Sequence, residues 1–407
     1  MSQTLSAQSA LQQTRERIWH EWTETIQKSD TFALPQPDSL SKALTFTWTI
    51  PEELEKSAVM QFYYGTKGEK PQDGYPLFVY MHGSGPKMLE WYTGQKLSLQ
   101  FEDGPSVYAI PRIPNEGELY RWWQKGKQWA WEKLLRRAFA SGVVDPERVY
   151  FLGISEGGYG AQRLASFYAD YLAGAGPMAG GEPLRNAPCE NLSNTAFSLI
   201  TGEMDYMFRR REMTENTSRT LDSLATLYPG EYTHRVELQT GRGHGIDYTS
   251  TTPWLSRYRR DAQPTQFRWE NYEMDGVKRN SFYNIEVIEE GEAYRTYYDV
   301  RIKDNEVDIS IQDVEYETTF TDPNWNIPFY FARHLTESKS GKLRVYLSEK
   351  LVRLDKNVTV RVNGKKVFKG KMKMEQASIE STMRQSLKLW GDPLRIFPAC
   401  VEVEIGK

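Results

Sequence analysis

The sequence predicts an α/β fold, a mostly parallel central sheet flanked by helices, followed by a smaller β-rich part, and three features predict it. The first is a serine set among glycines between an apolar run and a helix-like segment, Val149-Tyr150-Phe151-Leu152-Gly153-Ile154-Ser155-Glu156-Gly157-Gly158-Tyr159-Gly160. The second is the alternation of short apolar β-forming runs with helix-like segments on both sides of that serine. The third is a change, beyond the loop Arg257-Tyr258-Arg259-Arg260-Asp261-Ala262-Gln263-Pro264, to alternating polar and apolar β formers.

A chain of 407 residues exceeds one core of ordinary size. The expected division is residues 1–262, an α/β domain with an N-terminal helix, and residues 263–407, a β-rich domain. A net charge of −3 leaves no basic excess, and runs such as Arg209-Arg210-Arg211 read as solvated, so nucleic acid is not an expected partner. No stretch reaches the roughly 18 apolar residues of a membrane span. The first 20 residues are polar and carry no apolar signal core, so the expected location is cytoplasmic, or periplasmic or secreted if a signal peptide has been trimmed. Cys189 and Cys400 have neither metal-ligand spacing nor the density of a disulfide scaffold.

In chain order, Leu11, Ile18, Trp19, Trp22 and Ile26 recur at helical spacing and predict an amphipathic helix over residues 6–27, lying on the first domain. Residues 43–50 and 58–64 read as two strands around Pro51-Glu52-Glu53, an antiparallel entry to a larger sheet. Residues 76–81 have a buried-strand pattern that ends in His82-Gly83-Ser84-Gly85-Pro86. Residues 107–110 form another strand, followed by the loop Pro111-Arg112-Ile113-Pro114-Asn115. Parallel sheets bind ligands at such strand ends, so Arg112 and Asn115 are candidates for lining the cleft, with a solvated loop as the alternative. Trp122, Trp123, Trp129 and Trp131 lead into a helix to about Phe139, their rings packed on the sheet.

Asp145-Pro146-Glu147-Arg148 reads as a turn into the strand before Ser155, and residues 161–168 continue as a helix. This is the setting of a nucleophile elbow: a tight strand-to-helix turn lifts the serine hydroxyl clear of the sheet, and the flanking glycines let strand and helix approach. The N–H of Glu156 then faces the position of an oxyanion, and the loop holding Gly83 and Ser84 supplies the second backbone donor. A strand over residues 195–201 stops at Gly202-Glu203-Met204-Asp205, ahead of a helix from about Arg211. A further strand, residues 234–238, leads to Gly241-Arg242-Gly243-His244-Gly245. A histidine between glycines suits a mobile loop reaching over the serine better than a core, so His244 is the preferred base and His334 a distant second. The remaining histidines are His20 in the first helix, His82 in the glycine-rich loop and His234 inside a strand.

Beyond residue 264, strands are predicted at 282–288, 294–302, 307–311 and 343–347. Residues 358–362 and 366–368 flank Asn363-Gly364, a hairpin with a type I′ turn. A helix over residues 375–389 and a strand over 400–405 complete this part, which carries no chemical motif.

Together these residues resemble the α/β-hydrolase superfamily, in its carboxylesterase, dienelactone-hydrolase and prolyl-oligopeptidase-like branch. The matching pieces are His82-Gly83-Ser84-Gly85, Asp145-Pro146-Glu147-Arg148-Val149-Tyr150, Gly153-Ile154-Ser155-Glu156-Gly157-Gly158, Gly202-Glu203-Met204-Asp205 and Gly243-His244-Gly245, and they cover residues 76–256 in order. The family order of nucleophile, acid and histidine puts Asp205 in the acid slot, with Glu203 as runner-up and helix capping as an alternative role for Asp205. Residues Val362-Asn363-Gly364-Lys365 and Gly391-Asp392-Pro393 look like the β-rich appendage of some bacterial hydrolases, a likeness that implies no activity.

The resemblance implies a serine hydrolase acting on a small ester through an acyl-enzyme on Ser155, with His244 as base, Asp205 orienting it, and no metal or organic cofactor. A serine peptidase would use the same groups on an amide. A catalytically silent binding module on the same fold is the alternative of a different class. One departure from the family pattern is Glu156, an acidic residue directly after the nucleophile, which disfavours an anionic acyl group unless its charge is neutralised. Oligomeric state is left open.

Overall fold

The computed structural model describes residues 2–28 and 32–406. After the N-terminal helix α1 (Ser2–Lys28) come β1 (Asp38–Ser39), β2 (Thr45–Thr49), β3 (Val59–Lys67), β4 (Tyr75–Met81), α2 (Lys87–Gln100), β5 (Ser106–Pro111) and α3 (Lys125–Ala140). They continue with β6 (Val144–Ile154), α4 (Glu156–Phe167), β7 (Gly174–Met178), β8 (Ala196–Gly202), α5 (Arg210–Leu227), β9 (His234–Gln239) and α6 (Thr251–Leu255). Among the described residues these nine strands form one sheet in the order β1-β3-β5-β4-β6-β7-β8-β9, with β2 paired to β3. Strand β3 runs antiparallel to β2 and β5, and β5 through β9 are mutually parallel. Strands β5 and β6 flank β4 on opposite sides, so chain connections diverge at the C-terminal end of β4. That divergence opens a crevice where the His82 loop and the Ser155 turn meet.

The predicted antiparallel entry and central strands are present, with β4, β5, β7 and β8 buried along their whole length. Strand β6 differs from expectation because it starts at Val144 and includes Asp145-Pro146-Glu147-Arg148. Val144 pairs with Tyr75 and Val149 with Leu77, so the extra residues form a register shift in place of a free turn. Strand β7, Gly174-Ala175-Gly176-Pro177-Met178, lies outside the strands expected from the sequence, since two glycines and a proline among five residues carry no β-former pattern. They are required by packing: a Cβ on Gly176 would press on Leu255 and Thr251 of α6.

From residue 266 the chain is dominated by strands: β10 (Gln266–Asn271), β11 (Glu273–Met274), β12 (Val277–Lys278), β13 (Ser281–Phe282), β14 (Ile285–Glu289), β15 (Thr296–Lys303), β16 (Glu306–Asp322) and β17 (Ile327–Glu337). Then follow β18 (Lys342–Leu347), β19 (Val358–Val362), β20 (Lys365–Gly370), α7 (Gln376–Trp390) and β21 (Ala399–Glu404). A six-stranded sheet has the order β10-β15-β16-β19-β20 with β17 on β16, and a four-stranded sheet the order β13-β14-β18-β21. The Asn363-Gly364 turn has positive φ at both residues, 50° and 77°, as a type I′ hairpin requires. The strand expected at 282–288 is interrupted at Tyr283, and the one expected at 307–311 runs on to Asp322 and returns as β17. In β16 the alternation of buried and exposed side chains ends after Val314, so the projecting arm has no periodic signature.

The two parts share one apolar core that includes Leu11, Trp131, Trp269, Trp390 and Phe397. Helix α1 rests on α3 as expected and also on α7, and Arg15 binds Glu349 and the carbonyl of Ile396. Beneath lies a buried ion network. Asp170, just past α4, pairs with Arg279 and Arg395, and Asp392 pairs with Arg395 at 2.7 Å and with Arg260 at 2.8 Å.

Candidate active site

Ser155 sits between β6 and α4 with φ 56° and ψ −113°, a strained backbone for a residue with a Cβ. The turn is held by its N–H, which donates to the Met178 carbonyl at 2.9 Å. The motif glycines are explained by contact: a Cβ on Gly157 would run into the Met81 carbonyl, and one on Gly153 into Gly157. Neighbouring strands therefore close on the elbow from both sides.

Asp205 follows β8 and His244 follows β9, and the structure brings both to Ser155. His244 Nδ1 lies 2.7 Å from Asp205 Oδ2, and His244 Nε2 lies 3.0 Å from Ser155 Oγ. An ionised carboxylate only accepts, so Nδ1 carries the proton, and Nε2 is left to accept from the serine hydroxyl. Asp205 is buried, which alone would raise its carboxyl. Hydrogen bonds from His244 and Arg210 outweigh that and hold it below the ordinary value. Arg210 grips both carboxylate oxygens, at 2.8 and 2.7 Å, and shares Oδ2 with the imidazole, so the carboxylate is held in a fixed orientation. Sequence reading missed Arg210; its only signal was membership of an arginine run.

Asp205 does not cap α5 with its side chain. Glu203 turns away from the histidine and accepts the N–H of Gly241 at 3.0 Å, bracing the loop that carries His244. That loop, expected to be mobile, is also tied by Gln239, whose side chain bonds the backbone of Asp247 in both directions, at 2.7 and 2.8 Å. His334 lies on β17 beside Glu317, and His234 bonds Asp222.

The loop after β4 is rigid. His82 is fully buried, and burial pulls its pKa down to about 4. As a neutral ring it donates from Nδ1 to the Gly83 carbonyl at 2.8 Å and accepts the Ile113 N–H at Nε2. Tyr120 donates to the same carbonyl at 2.6 Å, and the Trp122 indole donates to that of His82 at 2.9 Å. Gly83 faces the elbow closely enough that a Cβ on it would lie 3.5 Å from Ser155 Cβ. Glu156 opens α4, so its N–H has no partner within the helix.

One cavity is lined by the serine, and a second lies beside its neighbours Ser84 and Glu156. The first, of about 590 Å³, is lined by Ser155, His244, Gly83, Ser84, Leu97 and Tyr248, among others. The other, about 550 Å³, is lined by Ser84, Glu156, Trp123, Phe208, Ile327 and Phe331, among others. Arg112 and Asn115 line neither. Arg112 lies over the Trp91 ring with its Nη1 against Met88, and Asn115 bonds Glu55 and Lys56, because β5 ends beside the antiparallel β3 and not over the crevice. Trp123, expected to pack on the sheet, is a cavity wall, with the Arg163 guanidinium 4.0 Å from its ring centroid.

Burial pushes the Glu156 carboxyl up to about 7, against the opposing influence of Arg121, 3.4 Å away. Between the ordinary value of 4.5 and about 7 the folded chain thus holds a proton that the unfolded chain has released, and stability falls as pH rises through that window. Glu156→Gln is expected to remove this slope: urea midpoints of the variant should gain on those of the wild type from pH 4.5 to 7. A constant difference across the window would refute the raised carboxyl.

Among the described residues no group of three or more His, Cys, Asp and Glu side chains is placed to hold a metal ion, and no helix is long and apolar enough to cross a membrane. The sheet order, with β1 and β3 running against the parallel strands at one edge, the Ser155 elbow after β6, Asp205 after β8 and His244 after β9, is that of the α/β-hydrolase fold, and the chain has that fold.

No family model matches the sequence. Poly(3-hydroxyalkanoate) depolymerase C of Paucimonas lemoignei is 28% identical over 98 residues, which are 22% of this chain and 23% of the depolymerase, so the match spans about a quarter of that protein. Similar solved structures include a thermostable esterase (20% identity, TM-score 0.40, covering 54% of this chain and 64% of that one). They also include a ferulic acid esterase (14%, TM-score 0.38, 53% and 97%) and the Bacillus cereus carboxylesterase (15%, TM-score 0.36, 48% and 94%).

Proposed function

We propose that the protein is a serine hydrolase that cleaves a carboxylic ester through an acyl-enzyme on Ser155. The observation that carries this reading is the hydrogen-bonded line from Asp205 through His244 to Ser155 Oγ, at 2.7 and 3.0 Å. His244 takes the serine proton as Oγ attacks the carbonyl carbon, and Asp205 holds the imidazole tautomer and stabilises the imidazolium. The N–H of Glu156 and those of the Gly83–Ser84 loop take the oxyanion. His244 then returns the proton to the departing alcohol, and water repeats the sequence to release the acid. The same groups would serve a peptidase acting on an amide.

A fluorophosphonate probe is expected to label the purified protein at Ser155 alone, read by mass spectrometry of the modified peptide, and aryl esters are expected to turn over faster than the matched anilides. A folded protein that neither reacts with the probe nor hydrolyses any ester would favour the silent binding module instead.

A further inference from the structure

The projecting arm of the C-terminal part forms a wall of the 550 Å³ cavity, which reaches Ser84 and Glu156 beside the serine. Residues Asn326, Ile327, Pro328 and Phe331, from the turn and the start of β17, lie opposite Trp123 and Glu156. The arm is pinned at both ends. Near its tip, Asp322 pairs with Arg209 and accepts the N–H groups of Asn324 and Trp325 at 2.9 and 2.8 Å, while Trp325 packs on Phe208 with centroids 4.4 Å apart. Nearer its base, Arg333 pairs with Glu270 at 2.7 Å and Glu190 at 3.5 Å. Arg209 and Phe208 belong to the segment just after Asp205, so the arm and the acid loop are clasped together.

The two cavities are not equivalent for an acyl transfer. His244 lines the 590 Å³ cavity and not the 550 Å³ one. A departing alcohol must receive its proton from His244 Nε2, so it leaves through the 590 Å³ side. With the carbonyl carbon at Ser155 Oγ and its oxygen towards the Glu156 and Ser84 N–H groups, the remaining substituent of the ester points past Glu156. That is the direction of the arm. The cavity there has the size of a small-ligand site and is walled by Trp123, Phe208, Ile327 and Phe331 together with the charged Arg121, Arg163, Arg185 and Glu182, so it has room for an acyl group larger than acetyl and offers it both ring surface and charged partners.

We propose that the 550 Å³ cavity is the acyl subsite and that the β16–β17 arm, through Ile327 and Phe331, sets the size of acyl group accepted, a role that rests on the ester hydrolase reading above. The full-length enzyme with Ile327→Trp fills this cavity, and Leu97→Trp fills the other. Initial rates are measured on p-nitrophenyl acetate, hexanoate and benzoate, which vary the acyl group, and on ethyl, phenyl and naphthyl acetate, which vary the alcohol.

Ile327→Trp is expected to lower kcat/KM for hexanoate and benzoate by about tenfold or more relative to acetate, with the alcohol preference unchanged. Leu97→Trp should do the reverse. Stoichiometric labelling of both variants at Ser155 by a small fluorophosphonate shows that the serine stays competent. An active Ile327→Trp enzyme with unaltered acyl preference, or one that changes alcohol preference instead, overturns the subsite assignment and leaves the hydrolase reading standing. A folded wild type inert to every ester overturns both.

Discussion

Ser155→Ala is expected to lower kcat on an activated ester by roughly four to six orders of magnitude while leaving the folded structure intact. The size of the loss follows from the geometry. Without Oγ there is no atom 3.0 Å from His244 Nε2 to attack a carbonyl, and the residual rate comes from the backbone donors and from substrate binding alone. The fold should survive because the strain of the elbow lies in its positive φ, which alanine shares with serine, while the glycines that permit the close approach are untouched. Single-turnover rates on p-nitrophenyl acetate, with circular dichroism of the variant alongside, test this. A kcat within tenfold of the wild type would remove Ser155 from the mechanism.

The second large effect is on stability. Asp170→Ala is expected to destabilise the protein by about 3–5 kcal/mol, because it leaves the largely buried Arg279 and the fully buried Arg395 without their shared carboxylate, and Asp392 alone cannot balance Arg260 and Arg395 together with the freed Arg279. Burial by itself would raise the Asp170 carboxyl, and the Arg279 and Arg395 guanidiniums more than offset it, holding the group below its ordinary 3.8. A carboxyl lowered on folding adds stability that is present above that value and is lost as pH falls through the folded one. The gap between variant and wild type should therefore be full at pH 7 and narrow below about pH 4. Urea denaturation at both pH values measures it. A loss under about 1 kcal/mol at pH 7 would mean that the guanidiniums find other partners or water.

The same residues account for how far the sequence could be read. Where structure depends on neighbours in the chain, reading was reliable. The Ser155 elbow needs an apolar strand, a strained turn and glycines within a few residues, and the Asn363-Gly364 hairpin needs two positive φ angles; both requirements are met by residue types at adjacent positions. Strand β7 failed the same test because its glycines answer to the Thr251 and Leu255 side chains of a later helix, contacts that no local pattern records.

By itself the sequence determined the α/β class, the order of serine, carboxylate and histidine along the chain, and the change to β structure beyond residue 264, since composition, period and turn chemistry are local properties. Only the tertiary structure decided which carboxylate meets His244, that Arg210 holds it, that Arg112 and Asn115 stand away from the cleft, and that Asn326, Ile327, Pro328 and Phe331 of the arm line a cavity beside Glu156. Each of these depends on the path by which the chain returns to Ser155, and that path is chosen by burial of the shared core and pairing of ions such as Asp170 with Arg395, across distances that residue spacing does not encode.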